Sequence, residues 1–387
     1  MNILRFPSFY IAFPFFVSAL FAVLIFEFPD GYIDGVYFLL TIVSLIVPMD
    51  VFIIRGGGTR KSLPKIGYFD NLRQKRIAVT LAAIVIFFCV IDLSFFKIPL
   101  FNDPTSYATF EGGRLHVRHI SNMSWILPPI ALICLKKGFW RKFLVLFGFI
   151  FPILVLDRNR LIATLASLIM VIIFRRKANS PLPWIRVGLS GIVCLAGFSF
   201  LGTLRSGLSA FMGITLPFTS FFLESPLAVQ WILLYGSAGI YNFSSIFAKD
   251  YKDMSFLINQ IVPLYGSVET AGSGIPLDAD VINIGTEFFP ILMALGAVGV
   301  IFCLIILYLL LLWSFILVRR KRSIFAVLIF LRMSYVALMA PFAPQAFTWT
   351  NFDFIFLCIF LWALSSLPTV KNRFLTKRIL TPTSFAT

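Results

Sequence analysis

Residues 288–318 carry no formal charge, and this run is the longest of ten apolar stretches that dominate the chain. In lipid every backbone N–H and C=O must be satisfied within the protein, so a lone span of this kind can only be helical. The stretches lie near 8–27, 33–54, 77–96, 121–136, 143–157, 160–174, 185–203, 287–318, 323–341 and 352–368, each bounded by charge, proline or glycine. The chain is 59% hydrophobic and 13% charged, about half the charged fraction of a soluble domain. A water-soluble globule is therefore excluded. The predicted fold is all-α: one polytopic transmembrane domain over 1–387 with about 10 helices, or 11–12 if re-entrant segments are counted.

The net charge of +16 does not point to nucleic acid, because the basic residues cluster at the ends of apolar runs instead of lining one face. With a cytoplasmic N-terminus, the cytoplasmic segments hold 24 of the 33 basic residues, the asymmetry that orients membrane proteins. Both termini are then cytoplasmic. Two external loops are large, 97–120 and 204–286. Within the second, 226–248 is mostly apolar, but an eleventh crossing would put Arg319 to Arg322 on the wrong side, so it is expected to be amphipathic or re-entrant. The five cysteines lie inside apolar runs without paired spacing, which predicts neither a disulfide framework nor a zinc site.

One short segment breaks the charge pattern. Leu156-Asp157-Arg158-Asn159-Arg160 puts three charges between two apolar runs. Fourteen residues separate Lys142 from Asp157, and fourteen separate Arg160 from Arg175, so each flanking helix rises only about 21 Å. A bilayer core is roughly 30 Å thick. The turn is expected to sit recessed below the external surface, where two arginines need water or anionic partners.

The loop Ile98-Pro99-Leu100-Phe101 followed by Tyr107 to His116, the turn Asp157-Arg158-Asn159-Arg160-Leu161, and Asn283-Ile284-Gly285-Thr286-Glu287-Phe288-Phe289 leading into Leu295-Gly296-Ala297-Val298-Gly299 resemble the Wzy-type O-antigen polymerases. Where an acidic or aromatic residue is expected before that glycine pair, this chain has Met293-Ala294. The resemblance implies a GT-C-like glycosyltransferase of the bacterial inner membrane. It would move a growing glycan from undecaprenyl diphosphate to a lipid-linked repeat unit on the periplasmic face. The implied partners are the undecaprenyl-diphosphate-linked oligosaccharide, membrane lipid and a chain-length regulator protein, with no cofactor and no nucleic acid. A flippase of lipid-linked oligosaccharide and an O-antigen ligase are the alternative readings.

Such a transfer needs a cation for the diphosphate and a base for the acceptor hydroxyl. Arginine stays charged and binds phosphate bidentately. Arg158, Arg160 and Arg205 are the expected catalytic cations, with Arg114, Arg118 and Arg332 as substrate-binding ones. Arg332 has an alternative role in an ion pair with Asp92. His116 and Glu287 are candidate acid–base groups, and His119 shares the first role. Glu224, Glu269, Asp278 and Asp280 are further carboxylates of the long loop, of which Asp278 and Asp280 are expected to bind substrate. Trp231 and Tyr235 are expected to stack on sugar rings. The i, i+3 spacing of the two histidines lacks a local carboxylate, so no metal site is predicted.

Overall fold

The computed structural model describes residues 2–56, 66, 69, 71–102, 114–175, 184–206, 214, 216–262, 275–279 and 284–367. Among them the regular structure is helical, with a single isolated bridge from Phe26 to Phe218. The first half holds α1 (Pro7–Ile25), α2 (Tyr32–Gly56), α3 (Leu72–Phe95), the one-turn α4 (Pro99–Asn102), α5 (Arg114–Ser121), α6 (Leu127–Cys134), α7 (Phe139–Leu154) and α8 (Arg158–Phe174). The second holds α9 (Trp184–Ser206), the one-turn α10 (Ser220–Leu223), α11 (Leu227–Lys249), α12 (Ser255–Ile261), α13 (Phe289–Arg320), α14 (Ile324–Met339) and α15 (Trp349–Ser366). Five helices, α1, α2, α3, α13 and α15, are long and apolar enough to cross a membrane.

Helix α14 is the axis of the fold. It is buried at every position except Arg332, Leu338 and Met339, as expected of a helix that is apolar nearly all round. It packs against α1 and α13 on one side and against α3, α6, α8 and α15 on the other. Local chemistry sets the ends of the elements around it. Pro7 opens α1, where its missing N–H costs nothing. The Asn71 side chain caps α3 by accepting from the Arg73 and Gln74 amides.

Two expected spans differ from the observed elements. The stretch near 121–136 is not one helix: α5 ends at Ser121, a 3-10 turn covers Asn122–Ile126, and α6 restarts at Leu127. Pro128 and Pro129 follow at once, and neither can donate the amide needed to continue the preceding helix. Gly296, with φ +68°, kinks α13 and sets Phe289–Leu295 apart as a short lead-in that is buried from Phe289 to Met293.

Residues 226–248 were expected to form an amphipathic or re-entrant segment. They fall within α11, a continuous helix buried at every position from Gly236 to Ile246, so it has no wet face. Its partners nonetheless cluster at one end of the bundle. Ser18 near the C-terminus of α1 donates to the Gly236 carbonyl, and Ser199 near the C-terminus of α9 donates to Ala228. Gly35 near the start of α2 lies against Ser244, and Gly239 lies against the Pro341 carbonyl just beyond α14. These are the ends where α1, α9 and α14 finish and α2 begins. The helix packs most extensively against α1 and α2, and also against α9 and α13.

Candidate functional site

The turn between α7 and α8 is three residues long because each end is closed by its own chemistry. Leu156 adopts φ +54°, its amide returns to the Ile153 carbonyl and the Asp157 amide to Pro152. This is the left-handed helix stop that usually takes glycine. A leucine there costs on the order of 1 kcal/mol. Asp157 then caps α8 by accepting from the Arg160 amide at 3.0 Å.

The turn is recessed. Gly202, four residues before the end of α9, lies against the Arg158 guanidinium. Tyr335, four before the end of α14, donates to the Asn159 carbonyl at 2.9 Å.

Arg158 and Arg160 are both buried, at 7% and 5% exposure, but in different company. Arg160 is neutralised: its Nη2 pairs with Asp157 at 2.9 Å and also donates to the Asn122 side chain, and its Nη1 donates to the Ser121 carbonyl at 3.3 Å. Arg158 sits instead in an aromatic box, 4.9 Å from the Phe198 ring, 5.5 Å from Trp231 and 4.6 Å from Tyr235. Its Nη2 donates to the Tyr235 hydroxyl at 2.8 Å, while its buried Nη1 has no hydrogen-bond partner. Aromatic faces stabilise a cation by about 0.5–2 kcal/mol each, and an unfilled buried donor remains costly.

Each arginine lines its own cavity. The first, about 850 Å³, holds Arg160, Arg332, His119, Asn122, Gln345 and Asp353 at its polar end. From there it runs between Ile77, Leu81 and Ile84 of α3 and Phe354, Leu357, Leu361 and Leu364 of α15. The second, about 760 Å³, holds Arg158 and Tyr235, and runs between Ile162, Leu165, Ala166 and Ile169 of α8 and Gly191, Leu195 and Phe198 of α9. These spacings of three, four and seven place each set on one helix face. Asp157, Asn159 and Pro344 line both cavities, so the turn is their common wall.

A buried carboxylate holds that wall in place. Both Glu287 oxygens are occupied by backbone amides, from Gln345 at 2.6 Å, Ala346 at 2.8 Å and Phe347 at 3.1 Å. The Gln345 side chain then donates to Asn159 at 2.9 Å. Glu287, expected as a catalytic group, is thus a staple for the segment between α14 and α15.

Other expected residues divide sharply. His116 is exposed and outside the cavity linings, whereas His119, one turn on, lines the first cavity. Arg118, expected on a solvated loop, is 6% exposed on α5, which packs along α3. Arg332 donates to Asn351 at 3.0 Å, and the charge acting on it is that of Glu287. Asp92, its expected partner, accepts from Ser121 at 3.1 Å. Trp231 is 3% exposed and its ring faces Arg158, not an open sugar site. Asp278 is pinned by Lys249 at 2.6 Å, Tyr241 at 2.8 Å and Tyr32 at 3.1 Å, which ties 275–279 to α2 and α11. Burial pushes its carboxyl up, but the Lys249 and Tyr241 hydrogen bonds and the Lys249 charge together hold it below the usual carboxylate range. Glu224 follows the one-turn α10. The side chains of Arg114 and Arg205, and Glu269 and Asp280 entirely, lie outside the described residues.

The sequence reading did not single out Tyr335, Gln345, Asn351 or Asp353. Their signal was present: Asn351 and Asp353 are polar residues at the mouth of an apolar run, a position that carries function by default in membrane helices. Comparison with protein-family models, with curated proteins and with solved structures finds no match to this chain.

Proposed function

We propose that this protein is a glycosyltransferase of the bacterial inner membrane that joins two lipid-linked glycans on the external face. In this reading it is an O-antigen-type polymerase with about ten spans and a GT-C-like arrangement. One observation carries the reading: two cavities share the Asp157–Asn159 wall, each with an arginine at its head and an apolar groove leading away between two helices. An arginine at the head suits a diphosphate. An apolar groove of 10–15 Å, from seven to ten residues of helix rise, suits a polyprenyl tail. A polymerase of lipid-linked repeat units needs two such sites side by side, because donor and acceptor both keep their carriers.

Arg158 is the cation for the departing diphosphate. It lines the second cavity, and a fixed cation beside developing anionic charge lowers the barrier to leaving. Arg160 is already paired with Asp157 and holds the turn, while Arg332 faces the second carrier's anion. The aromatic box keeps Arg158 dry, which strengthens its field.

The test is direct. Protein purified into nanodiscs and supplied with synthetic undecaprenyl-diphosphate-linked repeat units should produce a ladder of longer glycans. A folded preparation that yields no ladder, but transfers the glycan to a lipid A core, identifies a ligase instead. One that only moves the lipid between leaflets identifies a flippase.

A further inference from the structure

We propose that His119, oriented by Asp353, takes the proton from the acceptor hydroxyl; this rests on the transferase reading above. The two residues come from distant parts of the chain, His119 from the last turn of α5 and Asp353 from the first turns of α15. Their side chains approach to 3.5 Å between Nε2 and Oδ2. Trp349, one helical turn before Asp353, stacks on the imidazole with ring centroids 4.2 Å apart and planes 23° apart. The indole against the ring sets its plane, and the carboxylate beside Nε2 favours the tautomer protonated there. Nε2 carries the hydrogen toward Asp353, and Nδ1 keeps its lone pair.

This pair lies in the wall of the first cavity, across the shared turn from Arg158. The charged groups lining the same cavity are Arg76 on α3, Asp157 and Arg160 at the start of α8, Arg332 on α14 and Asp353. Asp157 is paired with Arg160, and Arg332 is a cation. Among the described lining groups, His119 is the one able to accept a proton near neutral pH and already oriented by a partner.

The reaction then has a direction. The acceptor O–H bond breaks and its proton passes to His119 Nδ1. The oxygen forms a bond to the anomeric carbon of the donor glycan as the bond from that carbon to the diphosphate oxygen breaks. The electron pair leaves with the diphosphate, on the Arg158 side. Deprotonation and departure therefore occur on opposite sides of one turn.

The experiment measures glycan extension in nanodiscs as a function of pH for the wild type, His119→Gln and Asp353→Asn. Binding of undecaprenyl diphosphate alone and thermal melting are followed in parallel. The wild type should lose rate on the acid side as the imidazole protonates. H119Q should fall by about 10²–10⁴-fold and lose that limb, the usual range for removing a general base, with lipid binding and melting unchanged. D353N should lose about tenfold and move the limb to lower pH, because a carboxylate no longer favours the imidazolium. If H119Q melts early, the D353N limb decides. The proposal is overturned if H119Q extends within a few-fold of wild type with its acid limb intact, or if both variants lose lipid binding and rate together at every pH. Wild-type protein that forms no ladder instead removes the transferase reading.

Discussion

Arg158 and Arg160 stand two residues apart on the first turn of α8, and their guanidinium groups enter different cavities. Residues i and i+2 on a helix point about 200° apart, so a turn of the form Arg-x-Arg is the shortest way to place one cation on each side of a wall. The intervening Asn159 binds Tyr335 and Gln345, which fixes the rotation of the turn. Replacing Arg158 with alanine should reduce extension by about 10²–10³-fold, the cost of removing one preorganised donor to developing charge, whereas replacing Arg160 should reduce it by loosening the turn. Their effects should differ in kind. Arg158→Ala should keep its melting temperature, whereas Arg160→Ala leaves Asp157 unpaired and should melt earlier. Extension assays beside thermal melting check both, and normal extension by Arg158→Ala would place the diphosphate elsewhere.

Gly202 offers a way to move Arg158 without deleting it. A Cβ at this position would lie 2.9 Å from Arg158 Nη1 and 3.2 Å from the Trp231 ring. The guanidinium end is the more mobile of the two, so Gly202→Ala should fold and displace Arg158 from its box. The expected result is at least a tenfold loss of extension with a melting shift of a few degrees at most. An unchanged rate would show that the box tolerates displacement.

Glu287→Gln keeps the shape of the staple and removes its charge. Three amides then face a neutral side chain with one carbonyl oxygen, and hydrogen bonds to a charged group are worth about 1.5–3 kcal/mol each. A loss of about 3 kcal/mol in stability is expected, together with reduced extension, since Gln345 no longer holds Asn159. Denaturant unfolding in detergent measures the first. If stability is unchanged, Glu287 has a role other than holding 345–347.

Asp278 sets a pH limit on the C-terminal end of α11. Its folded carboxyl lies below the usual range, so the stability it adds is fully present above about pH 4 and is lost as pH falls through its folded value. Hydrogen exchange at Ile275 to Ala279 should rise on acidification below pH 4, and Asp278→Asn should show the faster exchange already at neutral pH. Identical exchange in the variant would mean that Tyr32 and Tyr241 alone hold the segment.

Much of this was legible from the residues. The apolar runs located α1, α2, α3, α13, α14 and α15 to within a few residues, because long uncharged stretches admit few other structures. The short turn between α7 and α8 was readable from the charges that interrupt two apolar runs there. The burial of α11 was not, since Ser237, Asn242 and Ser245 lower its hydropathy while satisfying their hydrogen bonds inside the fold. The pairing of His119 with Asp353 is a contact across 234 residues of chain, and local spacing carries no trace of such a contact. Candidate bases were expected both among the histidines of the first loop and among the carboxylates of the long one, of which Asp278 and Glu287 are spent on tying down loops.

Helix α9 touches the rest of the molecule mainly near its C-terminal end. Among its described side chains only Ser199, Leu201 and Gly202 are buried, and a Cβ at Gly188, Gly191 or Gly197 would meet no neighbour within 4 Å. One wall of the Arg158 cavity is therefore fastened at the reaction end and slack along the rest. Swinging that slack length outward breaks few packed contacts, so on the proposed transferase reading a long, greasy carrier would load and unload sideways while the geometry at the turn stays still.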